Sequence, residues 1–205
     1  MFPYLIFDLS EVLIAGLVGV EKVLSFELSV PEDEILPCFS GGWLDRLFIG
    51  SISEDTYLRQ IIAQEGWHTD VAKLKAVIRR NFHHQVEGMI DILMGLTGSH
   101  SLILLSDHAR EWVAYIRSIH PFLRVFKRAF FSYNLRSLKR DPATFSLVLD
   151  AMSVSPDKCL FIDDNPENVL VAESVGIPCI RFVNAEQLAA ELDGRFALAE
   201  REHHR

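Results

Sequence analysis

The sequence predicts an α/β fold, a Rossmann-like parallel sheet core with a helical cap inserted after the first strand. Three observations predict it. Short apolar runs without alternation end on hydroxyl or carboxylate residues; from Gly88 onward such runs alternate with helical periodicities; and between about Gly19 and Glu87 helical periodicities occur with almost no β-type runs. An apolar run that does not alternate reads as a strand buried on both faces of a parallel sheet. Strands alternating with helices imply right-handed crossovers that leave helices on both sides of that sheet.

The first strand is the run Tyr4-Leu5-Ile6-Phe7-Asp8-Leu9-Ser10, which places a carboxylate at a strand's C-terminal edge. The helical segment follows. Val20, Val23, Leu24 and Leu28 share a face, as do Leu44, Leu47 and Phe48, then Tyr57, Ile61 and Ile62. Pro31-Glu32-Asp33-Glu34 and Ser53-Glu54-Asp55-Thr56 read as helix starts with acidic first turns. Beyond Gly88 come a helix at 90–96, a strand at 102–106, a helix at 108–119, a strand at 129–132 and a helix at 142–152. A strand at 159–164, a helix at 166–175, a strand at 178–182 and a helix at 185–192 complete the pattern, with a charged, frayed tail at 200–205. The expected division is a core of residues 1–15 and 88–205 and a cap of residues 16–87. Sheets of this kind carry function at the carboxyl ends of their strands. Those ends deliver Asp8, Ser106, Ser132 and Asp163-Asp164 to one rim, with Lys139 following the third strand.

A chain of 205 residues with 49% hydrophobic residues has ample material for a packed core. Its net charge of −8 and the lack of a basic stripe argue against nucleic acid and anionic membrane surfaces. No stretch approaches the length of an apolar span, and the N-terminal run lacks a basic leader and carries Asp8 and Glu11. Cys38, Cys159 and Cys179 show neither metal-ligand spacing nor an even count. The expectation is a soluble, cytoplasmic, thiol-reduced protein, monomeric or homodimeric, without a zinc site at its scattered histidines.

Four motifs stand at the strand ends in order: Phe7-Asp8-Leu9-Ser10, Leu105-Ser106-Asp107, Lys139-Arg140-Asp141-Pro142 and Phe161-Ile162-Asp163-Asp164-Asn165-Pro166-Glu167-Asn168-Val169. In this the chain resembles the haloacid dehalogenase-like (HAD) hydrolases. Within them it looks most like the bacterial sugar-phosphate phosphatases and the N-terminal phosphatase domain of soluble epoxide hydrolases. The resemblance implies that Asp8 is a nucleophile forming an aspartyl-phosphate. Asp163, helped by Asp164, would hold Mg²⁺ with Asp8 and the backbone carbonyl of Ser10. Ser106 would hydrogen-bond a phosphoryl oxygen with the Asp107 backbone N–H, Lys139 would neutralise the transferring group, and Asn168 would support the acidic pair. Read alone, Ser106 is a helix cap, Asp163-Asp164-Asn165-Pro166 a helix start, Lys139 a solvated loop lysine and Asn168 a helix-surface residue.

Three departures from the family pattern bear on function. Phosphatases of the superfamily commonly carry aspartate two positions after the nucleophile, where this chain has Ser10, and a serine hydroxyl cannot serve as general acid or base. That loss removes a contribution of typically 10²–10⁴-fold, felt most by poor leaving groups. Asp107 adds a carboxylate beside the phosphate pocket, repulsive unless turned away, and Arg140 replaces a proline. In the cap, Trp43 and Arg46 have two readings. Trp43 packs with Phe39 and Leu47 at helical spacing, or it stacks on a substrate while Arg46 grips an anionic group. The leading function is a Mg²⁺-dependent phosphomonoesterase of a small phosphorylated metabolite, with a sugar phosphate as the candidate substrate. The alternatives are a catalytically weak or inactive binding protein and a carbon–halogen hydrolase, against which the Asp163-Asp164 pair counts.

Overall fold

The computed structural model describes residues 2–203. Five parallel strands form one sheet in the order β3-β2-β1-β4-β5: β1 (Tyr4–Phe7), β2 (Ser101–Ser106), β3 (Arg128–Phe131), β4 (Cys159–Asp163) and β5 (Cys179–Arg181). Each expected strand is present at nearly its expected place. The absence of alternation has its cause in the packing. Leu5 and Phe7 of β1 join one buried cluster with Leu102, Leu104 and Ile162, while Ile6 joins another with Ile103, Leu105 and Phe161. Both faces of the sheet are covered, so successive residues are apolar.

Between β1 and the rest of the sheet lie α1 (Val20–Leu28), α2 (Glu32–Cys38), α3 (Gly42–Phe48), α4 (Glu54–Glu65) and α5 (Val71–Asn81). Ser53 caps α4 by accepting the Thr56 N–H, and Asp70 caps α5 by accepting the Lys73 N–H. Leu24, Ile35, Phe39, Leu47, Tyr57, Leu58 and Ile78 pack into the same cluster as Phe7 of the sheet. The two chain crossings into this segment are tied together: the Ala15 N–H donates to His84 at 2.8 Å and the Val86 N–H to Leu13 at 3.0 Å.

The remaining helices are α6 (Met89–Leu96), α7 (Arg110–Ile119), the short α8 (Ser132–Leu135), α9 (Pro142–Met152), α10 (Pro166–Ser174) and α11 (Ala185–His203). Two expectations change. Helix α11 continues well past 192, because Phe196 gives it a further apolar contact, stacking on His100 at 4.6 Å. The tail expected to fray is helical as far as His203, and positions 204–205 lie outside the described residues. Ser132 does not end a strand at an open rim: it starts α8 fully buried, its hydroxyl donating to Phe48 and accepting the His108 N–H. No helix among the described residues is long and apolar enough to cross a membrane. The three cysteines are free.

Candidate active site

The sheet register builds the site. Phe7 stands opposite Leu104 on β2 and Ile162 on β4, so Asp8, Ser106 and Asp163 follow from neighbouring strands at one edge. The Asp8 N–H extends the ladder by donating to Ile162 at 2.9 Å, which fixes the backbone of the candidate nucleophile. Past it the chain turns sharply through Glu11, whose φ is 59°. The Glu11 carboxylate accepts the Gly16 N–H at 2.8 Å. A Cβ at Gly16 would lie 2.8 Å from that oxygen and 2.8 Å from Ser10 Cβ, so the turn closes only around a residue without a side chain.

Lys139 links the acidic groups. Its Nζ lies 2.7 Å from Asp8 and 2.7 Å from Asp163, and all three residues are buried. Asp163 is fixed further by the Asn165 N–H at 2.8 Å and by Asn168 Nδ2 at 3.2 Å from both oxygens, so Asn168 is buried against Asp163 rather than facing solvent. Burial opposes the charge on Lys139, but Asp163, Asp8 and Asp107 outweigh it and hold the ammonium above its ordinary range. Burial pushes the Asp8 carboxyl up, Lys139 pulls it down, and Asp163 and Asp164 add to the rise. Burial and then Asp163 raise Asp164 as well.

Three carboxylates crowded together call for a cation, and Asp8, Asp163 and Asp164 each offer an oxygen within 4.8 Å of the others. An all-oxygen donor set without sulfur or imidazole fits Mg²⁺. Ser106 supplies a second sign of an anion pocket: its hydroxyl is buried and has no hydrogen-bond partner among the described residues. Buried polar groups are normally paired, so such an orphan marks a place where a ligand oxygen belongs. Asp107, beside it in sequence, is held by the lysine loop. Its two oxygens accept the Lys139 N–H at 3.0 and 3.2 Å, so this carboxylate positions the lysine loop.

A cavity of about 310 Å³ is lined on the core side by Asp8, Ser10, Asp107, Lys139 and Asp164, and on the other by Leu44, Asp45 and Phe48 of α3. Trp43 and Arg46 are not among its lining residues. A helix turns about 100° per residue, so with 44, 45 and 48 on the cavity side, 43 and 46 fall away from it; the exposed Arg46 stacks on the Trp43 ring at 4.6 Å, and Trp43 packs on the core cluster. Sequence reasoning missed the contact that joins α3 to the lysine loop, where Arg140 grips Asp45 through two hydrogen bonds of 2.9 and 2.7 Å. It also missed Glu54, buried and bonded to Trp112 at 2.9 Å and Arg79 at 2.9 Å. Position 54 carried only a first-turn signal, which a solvated glutamate would give equally. A larger cavity of about 430 Å³, with Glu27, His68, Lys73 and Arg80 in its lining, lies on the helical segment and has no nucleophile or acidic pair.

No family model matches the chain. Over 191 residues it is 26% identical to a chloroplastic flavin mononucleotide hydrolase of Arabidopsis thaliana, spanning 93% of this chain and 76% of that one. A HAD family enzyme of Bacteroides thetaiotaomicron, solved with magnesium and inorganic phosphate, superposes with a TM-score of 0.71 at 21% identity over 90% of this chain and 96% of that one. A HAD-like hydrolase of Porphyromonas gingivalis gives a TM-score of 0.76 at 20% identity, covering 96% and 98%. In its fold, and in the four motifs that the fold brings to one edge of the sheet, the chain is similar to these haloacid dehalogenase-like hydrolases.

Proposed function

We propose that this protein is a Mg²⁺-dependent phosphomonoesterase of a small phosphorylated metabolite, with Asp8 as nucleophile and with acid–base catalysis weakened at Ser10. The observation that carries the reading is Lys139, held 2.7 Å from both Asp8 and Asp163. A buried ammonium between a lone strand-end carboxylate and an acidic pair suits the charge of a transferring phosphoryl group better than it suits a merely structural ion pair. The flavin mononucleotide hydrolase activity named for the Arabidopsis relative makes that nucleotide one candidate substrate.

In this reading an Asp8 carboxylate oxygen attacks phosphorus, the ester oxygen departs, and water later hydrolyses the aspartyl-phosphate. Ser106 Oγ and the Asp107 N–H hold phosphoryl oxygens while Lys139 offsets their charge. Asp8, Asp163, Asp164 and the Ser10 carbonyl would hold Mg²⁺, which when bound neutralises phosphoryl oxygens and shields them from the carboxylates. Residues 16–87 act as the cap domain over the core of 1–15 and 88–205, excluding water and selecting the substrate through Leu44, Asp45 and Phe48. The partner is a small phosphorylated molecule, and the protein works in the cytoplasm as a monomer or homodimer.

The test is phosphate release from sugar phosphates, acyl phosphates, an aryl phosphate and flavin mononucleotide, with Mg²⁺ and with chelator, for wild type and Asp8→Asn. Mg²⁺-dependent release that vanishes in the variant supports the reading. Silence from folded, metal-loaded protein moves it to a ligand-binding role, and turnover by Asp8→Asn at the wild-type rate removes Asp8 as nucleophile.

A further inference from the structure

Beside the cavity that contains Asp8 lies a second one of about 170 Å³. The two share Ser10, Glu11, Leu44, Phe48 and Asp107, which makes them lobes of one space that meet where Ser10 stands. Their walls differ in kind. Beyond the shared residues the first is charged, with Asp8, Lys139, Arg140 and Asp164, whereas the second is closed by Leu17, Phe82, Trp112 and His108. Trp112 centres the aromatic wall, with ring centroids 5.6 Å from Phe82, 5.6 Å from His108 and 5.9 Å from Phe48. His108 is buried, and its Nδ1 has no hydrogen-bond partner among the described residues.

Resting on the phosphomonoesterase reading, we propose that this lobe receives the leaving group of the substrate and that the substrate is an aryl phosphate, a single ring whose polar substituent meets His108. Size is the first argument, since an apolar cavity of about 150 Å³ takes up benzene. Lining is the second. Aromatic faces and leucines suit a ring, while a sugar would lose water from its hydroxyls and recover one polar side chain, His108, from the aromatic wall.

Reaction chemistry is the third argument. As Asp8 forms its bond to phosphorus, the bond between phosphorus and the ester oxygen breaks and that oxygen keeps the electron pair. With Ser10 at the junction, position 10 offers no carboxylic acid to protonate it, and the two carboxylates nearby are held by backbone N–H groups, Glu11 by Gly16 and Val18 and Asp107 by Lys139. A phenolate, whose conjugate acid resembles tyrosine with a pKa of about 10, departs unprotonated and takes its proton from solvent. An alkoxide is far more basic and depends on the missing acid. Water then cleaves the aspartyl-phosphate, releasing inorganic phosphate and restoring the Asp8 carboxylate.

Benzylphosphonate, a non-hydrolysable mimic with a methylene in place of the ester oxygen, tests the lobe without turnover. Calorimetric titration in Mg²⁺ should find it bound at least tenfold more tightly than ethylphosphonate. Leu17→Trp fills the lobe from a half-buried loop position and should remove most of that preference; Val18→Trp, from a more exposed position in the same lining, is the second filling variant. Equal affinities in the wild type overturn the proposal. Turnover is measured separately: kcat/KM for phenyl phosphate should exceed that for glucose 6-phosphate at least tenfold. Selective benzylphosphonate binding with no turnover of either ester overturns the phosphatase reading while upholding the aryl site, and turnover without a benzyl preference overturns the aryl site alone.

Discussion

The hydroxyl of Ser132 donates to the carbonyl of Phe48 at 2.6 Å, joining residues 84 positions apart. The same oxygen accepts the His108 N–H at 3.0 Å. One buried hydroxyl therefore satisfies the end of α3, where Phe48 lines both lobes, and the turn that follows Ser106 and Asp107.

Ser132→Ala should orphan both backbone groups, a cost of about 1–3 kcal/mol per unsatisfied buried group. The predicted outcome is a lower denaturation midpoint with unchanged far-ultraviolet dichroism, and a KM that rises more than kcat falls, because α3 loosens while Asp8 and Lys139 stay in place. An unchanged midpoint would show that water replaces the hydroxyl.

How far this could be read in the sequence depends on the range of the interaction. Strands buried on both faces leave an unbroken apolar run, so β1, β2 and β4 were legible, and with them the positions of Asp8, Ser106 and Asp163. Helix α3 has only seven residues, Gly42–Phe48, too few to define which face meets the cavity, and its cavity-lining residues are Leu44, Asp45 and Phe48, whose spacing alone does not set them apart from Trp43 and Arg46. Pairs distant in sequence leave no trace in any window: Asp45 and Arg140 are 95 positions apart. Ser132 has the residue type expected of a rim ligand and of a buried brace alike, and only the three-dimensional fold distinguishes them.

Asp8→Asn separates chemistry from stability. In the phosphomonoesterase reading proposed above the variant loses its nucleophile, and turnover should fall at least a thousandfold, the order expected when a covalent route is removed. Lys139 keeps Asp163 at 2.7 Å, so no buried charge is abandoned. Stability in the absence of metal should stay within about 1 kcal/mol of wild type. Chemical denaturation with chelator present checks this, and a loss of about 3 kcal/mol or more would mean that Asp8 is the partner on which Lys139 depends.

Restoring an acid at the junction of the two lobes should change selectivity as well as rate. Ser10 is half-buried and lines both cavities, which gives a longer side chain somewhere to go. Ser10→Asp should raise kcat/KM for simple alkyl phosphates about tenfold or more, within the usual range for acid–base catalysis. The gain should be much smaller for sugar 1-phosphates and aryl phosphates, whose leaving oxygens need less help. Equal gains across all classes would remove the acid–base explanation of Ser10.

His108 gives the fold a pH dependence whose sign follows from its burial. Burial, then the nearby Lys139 charge, lowers its pKa from 6.5 to about 3, so the folded protein keeps the imidazole neutral. The unfolded chain protonates it below 6.5, binds more protons than the native state there, and gains stability as pH falls. The contribution of this group to folding is thus fully present above about pH 7 and is lost toward pH 3, by about 2 kcal/mol at pH 5. Raised carboxylates such as Asp107 act with the opposite sign, so the measurement must isolate His108. Denaturant titrations of wild type and His108→Phe at pH 7.5, 6 and 5, compared as a difference at each pH, do so. The difference should move in favour of the variant as pH falls, whatever its value at pH 7.5, and a pH-independent difference would mean that the native protein accommodates the imidazolium.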